Sequence, residues 1–168
     1  MKPKKILIWG GCGHGKTTLA RTISKKTGIP HFDLDNVTFK EKGFEKVTDD
    51  VRDERLKKLL KHKTWVIEGA YVGEWMHQVI KDSDLIIMLN INKIIAQKRV
   101  LMRFIKRKLK IEKTKGGSIK DLPRILGYAR NYCIDHLVKQ KELIKQYKKK
   151  AIILKNKSQI KEFLTKIK

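Results

Sequence analysis

Residues Gly10-Gly11-Cys12-Gly13-His14-Gly15-Lys16-Thr17 fit the pattern G-x-x-x-x-G-K-[ST]. What flanks them constrains the chain more than the pattern alone. Ile6-Leu7-Ile8-Trp9 is a short apolar run that stops at Gly10 and reads as a buried strand. Lys16 to about Lys26 reads as a helix, with Leu19, Ala20 and Ile23 on one side and Gly28 and Pro30 at its exit. A strand, a glycine-rich loop and a helix in that order aim backbone N–H groups inward as an anion nest. The helix N-terminus adds partial positive charge. In that setting Lys16 reaches the β- and γ-phosphates of ATP, and the Thr17 hydroxyl serves a Mg2+ ion. Gly11, Cys12, Gly13, His14, Gly15, Lys16, Thr17 and Thr18 are therefore the expected nucleotide-binding residues. The His14 side chain is expected to flank the phosphates.

Four further strands are expected at His31–Leu34, Trp65–Ile67, Leu85–Ile91 and Ala151–Leu154. Helices are expected from Thr48, from Lys93 to about Leu109, from a cap at Asp121 to about Tyr147, and from a cap at Ser158 to about Ile167. Strands alternating with helices predict an α/β fold with a mostly parallel sheet and helices on both faces. The 168 residues suit one domain, 1–168. Ligands of such sheets sit beyond the carboxyl ends of the strands.

Two acidic features fall at those ends. Glu68 closes Trp65-Val66-Ile67 and could hold a Mg2+-bound water or orient an acceptor. Asp33-Leu34-Asp35 would place both carboxylates on one side if the strand persists that far; a turn is the other reading. Asp33 would then take a proton from a hydroxyl acceptor, and Asp35 would hydrogen-bond that acceptor. Arg99, Arg103 and Arg107 recur every four residues and share a helix face. Arginines suit the oxygens of a transferring phosphoryl group. The loop Gly116-Gly117-Ser118 follows, with Arg124 and Arg130 beyond it. This helix–loop–helix, about 106–125, is expected to close over ATP as a lid.

Composition sets the remaining bounds. The chain carries 41 Lys+Arg against 17 Asp+Glu, a net +24, and residues 85–168 hold +19 of it. Such a half suggests an anionic partner. Aromatic residues are 7% of the chain and no helix-turn-helix signature is present, which argues against dedicated nucleic-acid readout. Cys12 and Cys133 form no metal or disulfide framework. No apolar run is long enough to span a membrane or serve as a signal peptide, so a cytoplasmic protein is expected. The guanine-specific motifs D-x-x-G and N-K-x-D are missing, as is the protein-kinase set.

The chain resembles the small P-loop kinases of the adenylate kinase and shikimate kinase type. It is most similar to the adenylate-kinase-related, or DNA topology-modulation, proteins. The resemblance runs through Ile8–Ala20, Gly28–Asp35, Trp65–Tyr71, Arg99-Val100-Leu101 onward and Lys150–Leu154. It implies a three-layer P-loop NTPase fold, with a parallel five-stranded sheet of order 2-3-1-4-5, a short helical lid, and ATP with Mg2+ as donor. Glu68 takes the place of the Asp-Gly aspartate of monophosphate kinases, and Asp33 with Asp35 resembles the shikimate-kinase carboxylates. No arginine follows Gly69 within a few residues, and the arginine-rich segment after the lid is reduced to Arg124 and Arg130.

The expected activity is ATP-dependent phosphoryl transfer to a small molecule, with a nucleoside monophosphate as favoured acceptor. Lys16, Asp33, Arg99 and Arg103 are the expected catalytic residues. Asp35, Glu68, Arg124 and Arg130 would bind the acceptor, and Thr17 and Glu68 the metal. The competing expectation is a nucleic-acid-associated ATPase or DNA topology-modulating binding protein.

Overall fold

The computed structural model describes residues 2–40, 45–108, 127 and 136–167; the side chains of residues 107 and 108 are outside this description. Strand β1 (Lys5–Gly10) leads through the glycine loop into helix α1 (Lys16–Thr27). Next come β2 (His31–Asp33), the short α2 (Asp35–Thr38), α3 (Asp49–Leu60) and β3 (Trp65–Gly69). A 3-10 turn (Glu74–Met76) runs into α4 (His77–Asp82), followed by β4 (Leu85–Leu89) and α5 (Lys93–Lys108). The chain ends in α6 (His136–Gln146), β5 (Ala151–Leu154) and α7 (Lys157–Lys166). All strand pairs are parallel, in the order β2-β3-β1-β4-β5, as the resemblance implied.

Alternation sends successive side chains to opposite faces of the sheet. On one face Ile6, Ile8, Val66, Leu85, Ile87 and Leu89 pack under Leu19, Ala20 and Ile23 of α1 and Phe163 of α7. On the other, Leu7, Trp9, Trp65, Ile67, Ile86 and Met88 pack under residues of α3, α4 and α6, among them Leu56, Val79 and Ile144. Every residue of β3 and β4 is buried; β4 accordingly reads as an unbroken apolar run, and β3 as three apolar residues followed by the buried Glu68 and Gly69. Among the described residues, no helix is long and apolar enough to cross a membrane.

Three local expectations need correction. Strand β2 stops at Asp33, because Leu34 is already helical (φ −65, ψ −18) and fully buried, and Asp35 begins α2. Strand β4 stops at Leu89 rather than Ile91. Helix α7 is capped by Asn156, whose side chain accepts the Gln159 N–H at 2.9 Å, and not by Ser158. The 3-10 turn and helix at Glu74–Asp82 come in addition to the expected elements. Most of the expected lid lies outside the described residues.

One lysine shows how part of the positive charge is used. The Lys150 ammonium donates to the carbonyls of Ile80, Lys81 and Ser83 at 2.8–2.9 Å. It thereby caps the end of α4 and ties the start of β5 to it.

Candidate active site

The glycine loop is held by backbone geometry and by α5. Gly13 has φ +77, and a Cβ there would stand 2.3 Å from the Ala96 carbonyl oxygen, so both conformation and space require glycine. Gly15 (φ 92) is the N-cap of α1; no side chain caps the helix and its first turn holds no acid. The first-turn N–H groups thus lack an acceptor from a capping side chain, which fits a phosphate ligand. Cys12 is exposed on this loop.

His14 behaves differently from the expectation. Its ring is buried, at 3% exposure, and its Nδ1 lies 2.6 Å from the Leu89 carbonyl, to which it donates. The side chain ties the loop to the end of β4 instead of flanking phosphates. Burial, with help from the Lys16 and Arg99 charges, depresses its basicity; only the Leu89 bond opposes this.

The Lys16 ammonium lies 3.4 Å from the Gly11 carbonyl and 3.8 Å from Glu68 Oε2. Glu68 is 1% exposed, which disposes of a solvent-facing role. Its second oxygen, Oε1, lies 3.7 Å from His31 Nε2. Both of those atoms are buried and neither has a hydrogen-bond partner. Burial pushes the Glu68 carboxyl up, but the His31 ring, the Lys16 ammonium and the Thr17 hydroxyl together hold it below the usual range.

Asp33 stands in register with Glu68 across β2 and β3. Burial, then the negative charges of Glu68 and Asp35, pushes its carboxyl up to about 6. Its Oδ1 accepts the Asp35 N–H at 2.9 Å, so the two aspartates form a turn rather than an alternating strand. Asp35 in turn accepts the Tyr71 hydroxyl at 2.7 Å. Tyr71 packs against Trp75 with ring centres 5.4 Å apart, and the Arg52 guanidinium lies 5.0 Å over the Trp75 ring. Arg52 is fixed by Asp49 at 2.6 Å and Asp53 at 2.8 Å. Burial and the Asp35 carboxylate keep the Tyr71 hydroxyl protonated.

On the donor side, Arg99 Nη1 donates to the Gly13 carbonyl at 3.3 Å. Arg103 is exposed one turn further along α5. Arg124 and Arg130 lie outside the described residues. The structure therefore brings Lys16, Thr17, Asp33, Glu68 and Arg99 to one end of the sheet, with Asp35 beside them.

Among the described residues, no group of three or more His, Cys, Asp or Glu could hold a metal ion unaided. Mg2+ is commonly held by one or two carboxylates together with substrate phosphates. Glu68, whose ionised form the Thr17 hydroxyl favours, could hold a metal in that way together with Thr17.

Sequence reasoning missed His31, Tyr71 and Trp75 as parts of the site. His31 precedes Asp33 by two residues on one strand, so the period-2 signal places it on the same face. Tyr71 and Trp75 carried no comparable signal, since one lies in the irregular stretch after β3 and the other in a three-residue 3-10 turn.

A family model described as "ATPase family associated with various cellular activities (AAA)" matches residues 6–98. No curated protein matches the chain. Among solved structures, the shikimate kinase from Acinetobacter baumannii in complex with shikimate is similar at TM-score 0.57 and 16% identity, covering 97% of this chain and 89% of that one. The shikimate kinase from Bacteroides thetaiotaomicron is similar at TM-score 0.54 and 17% identity, covering 98% and 96%. At these identities the likeness is one of fold.

Proposed function

The chain belongs to the ATPase family associated with various cellular activities (AAA), and on that premise we propose that it transfers the γ-phosphoryl group of ATP to a hydroxyl of a small molecule. The observation that carries the reading is Asp33. It is a carboxylate raised to about 6, set in register with Glu68 at the strand ends and coupled to the Lys16 charge. A group with that affinity for protons is ionised near neutrality and still basic enough to accept one from an alcohol.

Each residue then has a defined task. The loop amides of 11–18 and Lys16 hold the phosphates. Thr17 and Glu68 would hold Mg2+, directly or through water; when bound, the ion neutralises charge on the β- and γ-phosphates. Asp35 orients the acceptor. As the acceptor oxygen bonds to the γ-phosphorus, the bond from that phosphorus to the bridging oxygen breaks and ADP departs. The hydroxyl proton passes to Asp33. Arg99, and Arg103 with closure of the lid, would stabilise the charge on the transferring group. Arg124 and Arg130 remain candidates for the acceptor's side.

A nucleoside monophosphate, the acceptor favoured from the sequence, is the competing reading, in which a phosphate oxygen rather than a hydroxyl would accept the group. The described acceptor side favours a hydroxyl over a phosphate. Arg52 is engaged with two aspartates, and Arg55 donates to the carbonyls of Asn36 and Phe39 at 3.1 and 3.0 Å. Neither presents a free guanidinium to an acceptor phosphate.

The test is ADP formation across a panel of polyols, sugars, hydroxy acids and nucleoside monophosphates. Stimulation by one acceptor well above basal hydrolysis is expected. Tight ATP binding with no stimulation across the panel would remove the reading. The nucleic-acid alternative is checked by filter binding over a salt series. A steep fall of affinity with salt would support it, and no retention at low salt would remove it.

A further inference from the structure

The Lys16–Glu68 pair poses a problem that nucleotide binding must solve. Lys16 stands 3.8 Å from Glu68 Oε2, and the Thr17 hydroxyl also favours the ionised carboxylate. Both groups are the ones that a triphosphate and its metal would recruit. Once they turn to the nucleotide and before a metal reaches Glu68, a carboxylate that is 1% exposed loses two of its three stabilising neighbours. An ionised group left buried without a partner is strongly disfavoured. The loop would then hold its lysine back from the phosphates.

We propose that His31 is a positioning residue that keeps Glu68 satisfied when Lys16 leaves it for the nucleotide. His31 Nε2 is 3.7 Å from Glu68 Oε1, on the side of the carboxylate away from the oxygen that faces Lys16. Both atoms are buried and lack any other hydrogen-bond partner. A movement of about 0.5–1 Å brings them to hydrogen-bond distance. The ring sits on β2, whose register places His31 beside Val66, two residues before Glu68 on the adjacent strand. His31 lies on β2, outside the glycine loop and α1 that are assigned to the nucleotide. His31 is thus the neighbour of Glu68 that remains in place throughout binding, and the lysine is released at little cost.

This rests on the nucleotide-binding part of the function proposed above and on no acceptor. The experiment is a double-mutant cycle read as the dissociation constant of a fluorescent ATP analogue, first in EDTA and then with Mg2+. Circular dichroism and thermal unfolding accompany each variant. His31→Ala is expected to weaken binding on the order of tenfold, because Lys16 stays with Glu68. His31→Gln retains a donor and is expected to stay within about threefold of wild type. Adding Glu68→Gln to His31→Ala removes the charge that holds Lys16, and metal-free binding is expected to return.

Unchanged binding in His31→Ala overturns the proposal. So does an equal loss with or without Glu68→Gln, since that shows His31 acting through general packing. If His31→Ala fails to fold, His31→Gln against His31→Leu in the Glu68→Gln background carries the same comparison. A wild-type chain that binds no ATP analogue would sink the nucleotide reading itself. A wild type that binds, with no coupling between His31 and Glu68, would sink only the present inference.

Discussion

Gly13 lies against Ala96 so closely that a Cβ on the glycine would stand 2.3 Å from the alanine carbonyl oxygen. The phosphate loop and α5 are therefore packed as one body at that point. Gly13→Ala meets a clash and a positive φ together, and an expected loss is about 2–4 kcal/mol. Gly28 has a similar φ of +73 but nothing within 4 Å of a Cβ, so Gly28→Ala bears the conformational cost alone, about 1–2 kcal/mol. Urea denaturation should rank the two, and only Gly13→Ala should also abolish nucleotide binding.

Asp33 makes stability depend on pH in a defined direction. Its carboxyl is raised from 3.8 to about 6 in the folded chain. The folded state therefore holds this proton more tightly than the unfolded state, and stability falls as pH rises between those values. Asp33→Asn should be more stable than wild type at about pH 8 by roughly 1–2 kcal/mol, allowing for the partial exposure of the group. The difference should vanish below about pH 4. Denaturation of metal- and nucleotide-free protein at both pH values checks this. With acceptor, kcat/KM of the wild type should rise through about pH 6.

How much of this could be read beforehand follows from where each signal lives. Leu85–Leu89 was visible because burial on both faces leaves no polar residue to interrupt it, and Trp65–Gly69 because its apolar start, Trp65-Val66-Ile67, stops abruptly at Glu68-Gly69. The loop 10–17 was visible because its chemistry is local. The role of His14 was not, since the carbonyl it meets belongs to Leu89, 75 residues away. At Asp33–Asp35 alternation and a turn both stayed open, because Leu34 looked like one more strand residue. Its complete burial against the neighbouring elements is a tertiary fact. The pairing of Tyr71 with Asp35, 36 residues apart, lies equally beyond any window of local pattern.

Tyr71 should matter through Asp35. Its hydroxyl donates to Asp35 Oδ1 at 2.7 Å, and the Asp35 amide donates to Asp33 Oδ1 at 2.9 Å. Tyr71→Phe removes the first bond and leaves the ring packed on Trp75. The expected stability loss is only about 1 kcal/mol. The functional effect should be a several-fold rise in KM for the acceptor with KM for ATP unchanged. Trp9 and Trp65 are fully buried while Trp75 is not, so iodide quenching reports this corner of the protein. Acceptor binding should protect Trp75 from quenching in wild type and less so in Tyr71→Phe.

Arg99 and Arg103 share a helix face but should differ in effect. Arg99 already contacts the loop through the Gly13 carbonyl at 3.3 Å, and its Nη1 is 3.7 Å from where a Gly15 Cβ would lie. A guanidinium there is placed beside the N-cap of α1, where the phosphates would converge. Arg103 is exposed and reaches the same region only if α5 or the lid moves. Arg99→Ala should therefore lower kcat on the order of a hundredfold or more, while ADP affinity changes little. Arg103→Ala should lower kcat by less than about tenfold under the same conditions. Steady-state kinetics with the identified acceptor, alongside ADP titration, separates these outcomes. Equal losses for the two variants would mean that the transferring group lies further out along α5 than the loop geometry places it.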